Sequence, residues 1–144
     1  MSKNNQRPSN VDSPYPHQKS IRQDERHILL VDDNLADLSS ISSLLKRLEY
    51  RVVLAIDPHE ALKIFHEQSG VFDLIITDQL MPGMQGNELA ALVRKVRKDI
   101  PIIVCSGSEE ALYELKEQGA DIQEYMLKPF SGTQLAEAIK RLVI

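Results

Sequence analysis

The sequence predicts an α/β domain with a doubly wound parallel sheet of five strands, on three observations. Short apolar runs alternate with amphipathic stretches from His27 onward. Two of those runs, residues 28–31 and 102–105, are apolar at every position, which suits strands buried on both faces. Caps and turn residues stand at the joints between the segments, so each strand is followed by a helix.

Residues 27–31 read as the first strand. Leu35, Leu38, Ile41, Leu44, Leu45 and Leu48 then recur at helical spacing, and Asp33-Asn34 offers two candidate caps for that helix. Residues 51–55 make a second strand. Asp57-Pro58 opens a helix, with Pro in the first turn and Glu60 three residues after the cap, and Gly70 ends it. The third strand is 73–77. A loop over 79–85, with Pro82 and Gly83, leads to a helix over about 86–98 whose apolar stripe is Leu89, Leu92, Val93 and Val96. Residues 101–105 form the fourth strand. Ser108 caps a helix through about Gln118, stopped by Gly119. Residues 122–127 are the fifth strand and 131–142 the last helix. Strand order does not follow from spacing, and both doubly wound orders remain open at this point.

Composition narrows the function. The chain has 144 residues, 42% hydrophobic and 26% charged, which is one ordinary globular domain. The net charge is −4, with no basic patch to suggest nucleic acid. A single cysteine excludes an intrachain disulfide. No apolar stretch approaches the roughly 18 residues of a membrane span, and no secretory h-region opens the chain, so a cytoplasmic protein is expected. Residues 1–26 are rich in Ser, Asn, Gln and Pro and carry a net +2, against −6 for the remainder. Such a segment buries too little to offset its ordering entropy, so 1–26 is expected to be a disordered tail and 27–144 the folded domain.

Three strand-like runs deliver acidic or basic groups from their C-terminal ends. Asp32-Asp33 follows the first, Asp78 the third and Lys128-Pro129 the fifth. In an open parallel sheet those ends lie side by side and border the ligand crevice. Clustered carboxylates repel one another and invite a divalent cation, and oxygen-only ligands suit Mg²⁺. Asp78 is the candidate nucleophile, because a carboxylate can attack phosphorus and form an acyl phosphate. Asp32 and Asp33 are the candidate metal carboxylates, although either could instead cap the helix or solvate the strand end. Lys128 could hold an anion, and a cis bond to Pro129 would aim its ammonium over the sheet edge. Ser106 could donate to a phosphoryl oxygen, or serve only as a turn residue. Three carboxylates, Mg²⁺ and Lys128 are near neutral together. A transferred phosphoryl group adds about −1.5 to −2, which gives nearby donors a reason to move.

The set Asp32-Asp33, Asp78, Ser106 and Lys128-Pro129-Phe130 resembles the receiver domain of bacterial response regulators. So does the loop Asp78-Gln-Leu-Met-Pro-Gly-Met-Gln-Gly86. The stretch around Thr77-Asp78-Gln79 is similar in particular to the C-terminal receivers of hybrid sensor histidine kinases. The resemblance implies the flavodoxin-like order 2-1-3-4-5. It implies Mg²⁺ held by Asp33, Asp78 and the backbone carbonyl of Leu80, with Asp32 acting through water. It makes Ser106 the hydroxyl switch, Tyr125 the aromatic switch, and Lys128 a contact of the phosphoryl group.

The expected function is that of a phosphoacceptor in a two-component phosphorelay. A histidine kinase or histidine phosphotransfer protein would donate to Asp78, and a downstream protein would read the result. No nucleic-acid or membrane partner is expected, and no enzyme activity beyond the domain's own phosphorylation and dephosphorylation. The chain ends just after the fifth helix, so it reads as a stand-alone receiver or a detached piece of a hybrid kinase. An aspartyl-phosphate phosphatase would want an acid two residues after the nucleophile, where Leu80 stands. A flavin binder would want a phosphate loop after the first strand, where Asp33-Asn34-Leu35-Ala36-Asp37 would repel phosphate.

Overall fold

The computed structural model describes residues 25–143. The expected tail over 1–26 lies outside the described residues except for Glu25 and Arg26. Five strands and five helices alternate: β1 (His27–Val31), α1 (Leu35–Arg47), β2 (Arg51–Ala55), α2 (Pro58–Glu67), β3 (Leu74–Asp78), α3 (Gly86–Val96), β4 (Ile102–Ser106), α4 (Glu109–Glu117), β5 (Glu124–Leu127) and α5 (Gly132–Leu142). The strands pair in parallel in the order β2-β1-β3-β4-β5. This is the flavodoxin-like order, and the chain reverses its direction across the sheet between β1 and β3.

Strand pleating divides the apolar runs between two cores. Leu29, Val31, Ile75, Ile102 and Val104 pack with Phe65, Leu89, Val93 and Leu112 from α2, α3 and α4. Their alternates Ile28, Leu30, Leu74, Ile76 and Ile103 pack with Leu38, Ile41, Leu45, Leu135 and Ile139 from α1 and α5. Both faces of the central strands are thus covered, which is why those strands lack a polar alternation. No helix among the described residues is long and apolar enough to cross a membrane.

The caps fall where side-chain chemistry puts them. Asn34 rather than Asp33 caps α1, its Oδ1 accepting the Asp37 N–H at 3.0 Å. Asp57 caps α2 and Ser108 caps α4. Ser131 and Gln134 form a reciprocal capping box at α5. Four elements have boundaries that differ from the sequence expectation. α2 stops at Glu67, before Gly70, because the Gln68 N–H is shared between the Ile64 and Phe65 carbonyls and the Val71 N–H turns back to Gln68. β3 and β4 each run one residue later, ending on Asp78 and Ser106, because the ladder continues through those polar residues. β5 begins at Glu124, since the Ile122 N–H is taken by the Ala120 carbonyl in a turn.

Candidate functional site

The ends of β1, β3 and β5 converge through register. Val31 lies opposite Thr77, so Asp32 and Asp78 leave adjacent strands side by side. The Lys128 N–H continues the ladder onto the Ser106 carbonyl at 2.8 Å. Pleating puts Asp32, Asp78 and Lys128 in phase with Leu30, Ile76 and Met126, on the face that carries α1 and α5. Alternation alone therefore aims two carboxylates and one ammonium into the same space.

Lys128 closes the arrangement. Its Nζ lies 2.8 Å from Asp32 Oδ2, 2.9 Å from Asp78 Oδ1 and 2.9 Å from Asp37 Oδ2. The Lys128–Pro129 peptide is cis. Asp32 is buried at 1% exposure, and its other oxygen accepts the Asn34 N–H at 2.9 Å. Asp33 points into solvent, yet one oxygen from each of Asp32, Asp33 and Asp78 can be found within 4.8 Å of the others.

The electrostatics follow. Burial raises the Asp78 carboxyl above its ordinary value, and the Asp32 and Asp33 charges add to the rise. Together they outweigh the opposing hydrogen bond and charge of Lys128. For Lys128, burial works against the ammonium, but its bonds to Asp32, Asp37 and Asp78 prevail and raise its pKa. Lys128 is thus a fixed cation, and the carboxylates remain in excess. Three oxygen donors of mixed burial, one of them facing water, fit a small hard cation that keeps part of its hydration shell, as Mg²⁺ does.

Ser106 and Leu80 line the same cleft as Asp33, Asp78 and Lys128. Ser106 is 1% exposed, out of phase with the acids, and its hydroxyl oxygen accepts the Ser108 N–H at 3.0 Å. Leu80 is exposed. Tyr125 is not in the cleft. It stands in register with Val104 on β5, packs toward the α2–α4 core, and has the Lys116 ammonium 5.3 Å from its ring centroid. Burial raises its phenol pKa.

Two features went unseen in the sequence as parts of the site. Asp37 entered the sequence reading only within the segment that would repel phosphate, but it lies in the first turn of α1, where side chains lean back toward the strand ends. Its position three residues past the cap was the available signal. The second feature is an amide pair between buried Gln79 and half-buried Asn87. Gln79 accepts the Asn87 N–H at 2.9 Å through Oε1 and donates from Nε2 to Asn87 Oδ1 at 2.9 Å. It clamps the residue after Asp78 to the start of α3, and no local pattern announces it.

Comparison with known proteins agrees with the fold. The family model described as response regulator receiver domain matches residues 28–140. A probable transcriptional regulator, ycf27, of Cyanidium caldarium is 37% identical over 121 residues, which is 83% of this chain and 47% of that protein. The sensor histidine kinase TmoS of Ectopseudomonas mendocina is 34% identical over 122 residues, 83% of this chain and 12% of the kinase. The chain therefore spans about half of one relative and a small part of the other. Among solved structures, the response regulator TrrA of Thermotoga maritima, in complex with Mg²⁺ and BeF, superposes with a TM-score of 0.72 at 36% identity, covering 82% of this chain and 99% of that one.

Proposed function

The chain belongs to the response regulator receiver domain family, and from that premise we propose that Asp78 is its phosphoacceptor, fed by a histidine kinase or histidine phosphotransfer protein. The observation that carries the reading is the Lys128 ammonium held on the Asp78 carboxylate beside two further acids, at the ends of three different strands. In the transfer an Asp78 carboxylate oxygen bonds to phosphorus while the P–N bond to the donor imidazole breaks. The bonding pair leaves on the imidazole nitrogen. Lys128 donates to a phosphoryl oxygen, which accumulates negative charge in a site already rich in it. Residues 27–144 are the unit that does this.

Asp33, Asp78 and the Leu80 backbone carbonyl would hold Mg²⁺, with Asp32 acting through water. Bound there, the ion supplies positive charge against the carboxylates and the incoming phosphoryl oxygens. Ser106 reports the added charge by giving up its Ser108 contact for a phosphoryl oxygen, and Tyr125 follows on β5. A downstream protein then reads the altered surface, as a shift between two pre-existing states.

The test is labelling with acetyl phosphate or with a phosphorylated kinase. Asp78 should be labelled only in the presence of Mg²⁺, and Asp78→Asn should not be labelled at all. Wild-type labelling of Asp78→Asn refutes the assignment. Asp33→Ala should weaken Mg²⁺ binding in a titration, and an unchanged affinity removes Asp33 from the metal site.

A further inference from the structure

Lys128 has more partners than transfer to Asp78 requires. An ammonium carries three N–H donors. Two are hydrogen-bonded, to Asp32 at 2.8 Å and Asp37 at 2.9 Å, and the Asp78 carboxylate makes the third contact, an ion pair at 2.9 Å. Resting on the acceptor reading above, a phosphoryl oxygen that is to receive a hydrogen bond from Lys128 must displace one of these carboxylates.

The three are not equally free to leave. Asp32 is 1% exposed, and its second oxygen is tied to the Asn34 N–H, so releasing it would strand a buried charge. Asp78 is the atom's destination, and the phosphoryl oxygens arrive bonded to it, so Lys128 stays beside it. The Asp37 side chain is 43% exposed, and water can take its carboxylate back at little cost. Asp37 also leaves the site one charge more negative than Asp32, Asp33 and Asp78 make it alone. It lines the same cleft as Asp78 and Lys128.

We propose that Asp37 is a positioning and selectivity residue. It holds one hydrogen of the Lys128 ammonium in the unphosphorylated protein, yields it to the phosphoryl oxygen, and disfavours small dianionic phosphodonors. With acetyl phosphate, the oxygen of Asp78 bonds to phosphorus, the P–O bond to acetate breaks, and acetate leaves with the electron pair. Asp37 opposes this twice, by occupying Lys128 and by repelling the donor.

The experiment compares wild type, Asp37→Asn and Asp37→Glu in the full chain. Phosphorylation is measured with acetyl phosphate and Mg²⁺ at low and high salt. The reactivity of the Lys128 amine towards acetic anhydride is measured separately in EDTA, by mass spectrometry. Asp37→Asn should be phosphorylated faster by about 3- to 5-fold, with a smaller gain at high salt, since the contact is half exposed. Its Lys128 should be acetylated faster in the metal-free protein, a readout that does not depend on transfer. Asp37→Glu, which restores the charge, should reverse both changes. An unchanged or slower rate for Asp37→Asn, or an unchanged Lys128 reactivity, overturns the role given to Asp37. Absence of labelling in the wild type is a different failure, since it overturns Asp78 as acceptor and this inference with it.

Discussion

A methyl group on Gly86 would stand 2.4 Å from the carbonyl oxygen of Asp78 and 3.1 Å from the Gln79 side chain. The first turn of α3 therefore presses directly on the backbone of Asp78. The Gly86 N–H also donates to the Gln79 carbonyl at 2.9 Å, so the two segments are both touching and bonded. The Asp78 carbonyl is backbone, and the Gln79 side chain is tied to Asn87 by two hydrogen bonds, so neither swings aside freely.

Gly86→Ala is accordingly expected to destabilise the fold by about 1–3 kcal/mol through overpacking. It should also slow phosphorylation, because the backbone that must shift is that of Asp78. Urea unfolding and acetyl phosphate labelling read the two effects. Unchanged stability would show that the α3 start can move away without cost.

Asp78→Asn should stabilise the metal-free protein. Burial and the neighbouring acids hold the Asp78 carboxyl above its ordinary value of 3.8. The native state then binds the proton more readily than the unfolded chain does. Stability is lost as pH rises from about that ordinary value through the raised one, and the loss is complete above it. The amide carries no such charge, while Lys128 keeps Asp32 and Asp37. The advantage of Asp78→Asn should therefore be full at neutral pH, on the order of 0.5–2 kcal/mol, and vanish in acid below the ordinary carboxylate range. Thermal unfolding in EDTA across pH checks this, and an advantage that grows as pH falls would contradict it.

What the sequence disclosed and what it hid have one physical distinction. The strands and their order of appearance were legible because core burial leaves an apolar record at each position, as in residues 28–31. Asp32, Asp33, Asp78 and Lys128 were legible because a charge at the end of such a run has few structural reasons to be there. Asp37 was not, because an acid in a first helical turn is ordinary, and only the distance to Lys128, 91 residues away in sequence, gives it a role. Gln79–Asn87 was hidden for the same reason. The ends of β3 and β4 moved because hydrophobic pattern records burial, whereas the ladder continues through polar residues such as Ser106.

Cys105 should be inert in the native protein. Burial pushes its thiol up to about 12. At pH 8 the thiolate fraction is then on the order of 10⁻⁴, and the sulfur is out of reach of reagents as well. Modification by iodoacetamide should proceed only through unfolding, so its rate should rise with urea in step with the unfolded fraction. Alkylation in native buffer at the rate of a free cysteine would show that β4 opens locally.

The phosphorylated form should be long-lived in the absence of a partner. Hydrolysis of the acyl phosphate needs a water aligned opposite the leaving carboxylate, and a polar side chain bordering the cleft can align it. Leu80, two residues after Asp78, is exposed at the cleft, and its side chain can neither donate nor accept. Ser108, two residues after Ser106, also carries a hydroxyl. Its Oγ already accepts the Ala111 N–H at 3.1 Å as the cap of α4, so turning toward water would cost that cap. Neither position 80 nor position 108 therefore offers the water an orienting group. Leu80→Asn supplies one and should speed decay by ~3- to 10-fold, if about 1 kcal/mol of alignment is recovered. Ser108→Ala should leave the decay rate nearly unchanged while destabilising α4. Following the loss of phosphorylated protein in excess Mg²⁺ for the three forms separates these effects. Equal lifetimes for wild type and Leu80→Asn would mean that water alignment at position 80 does not control the decay.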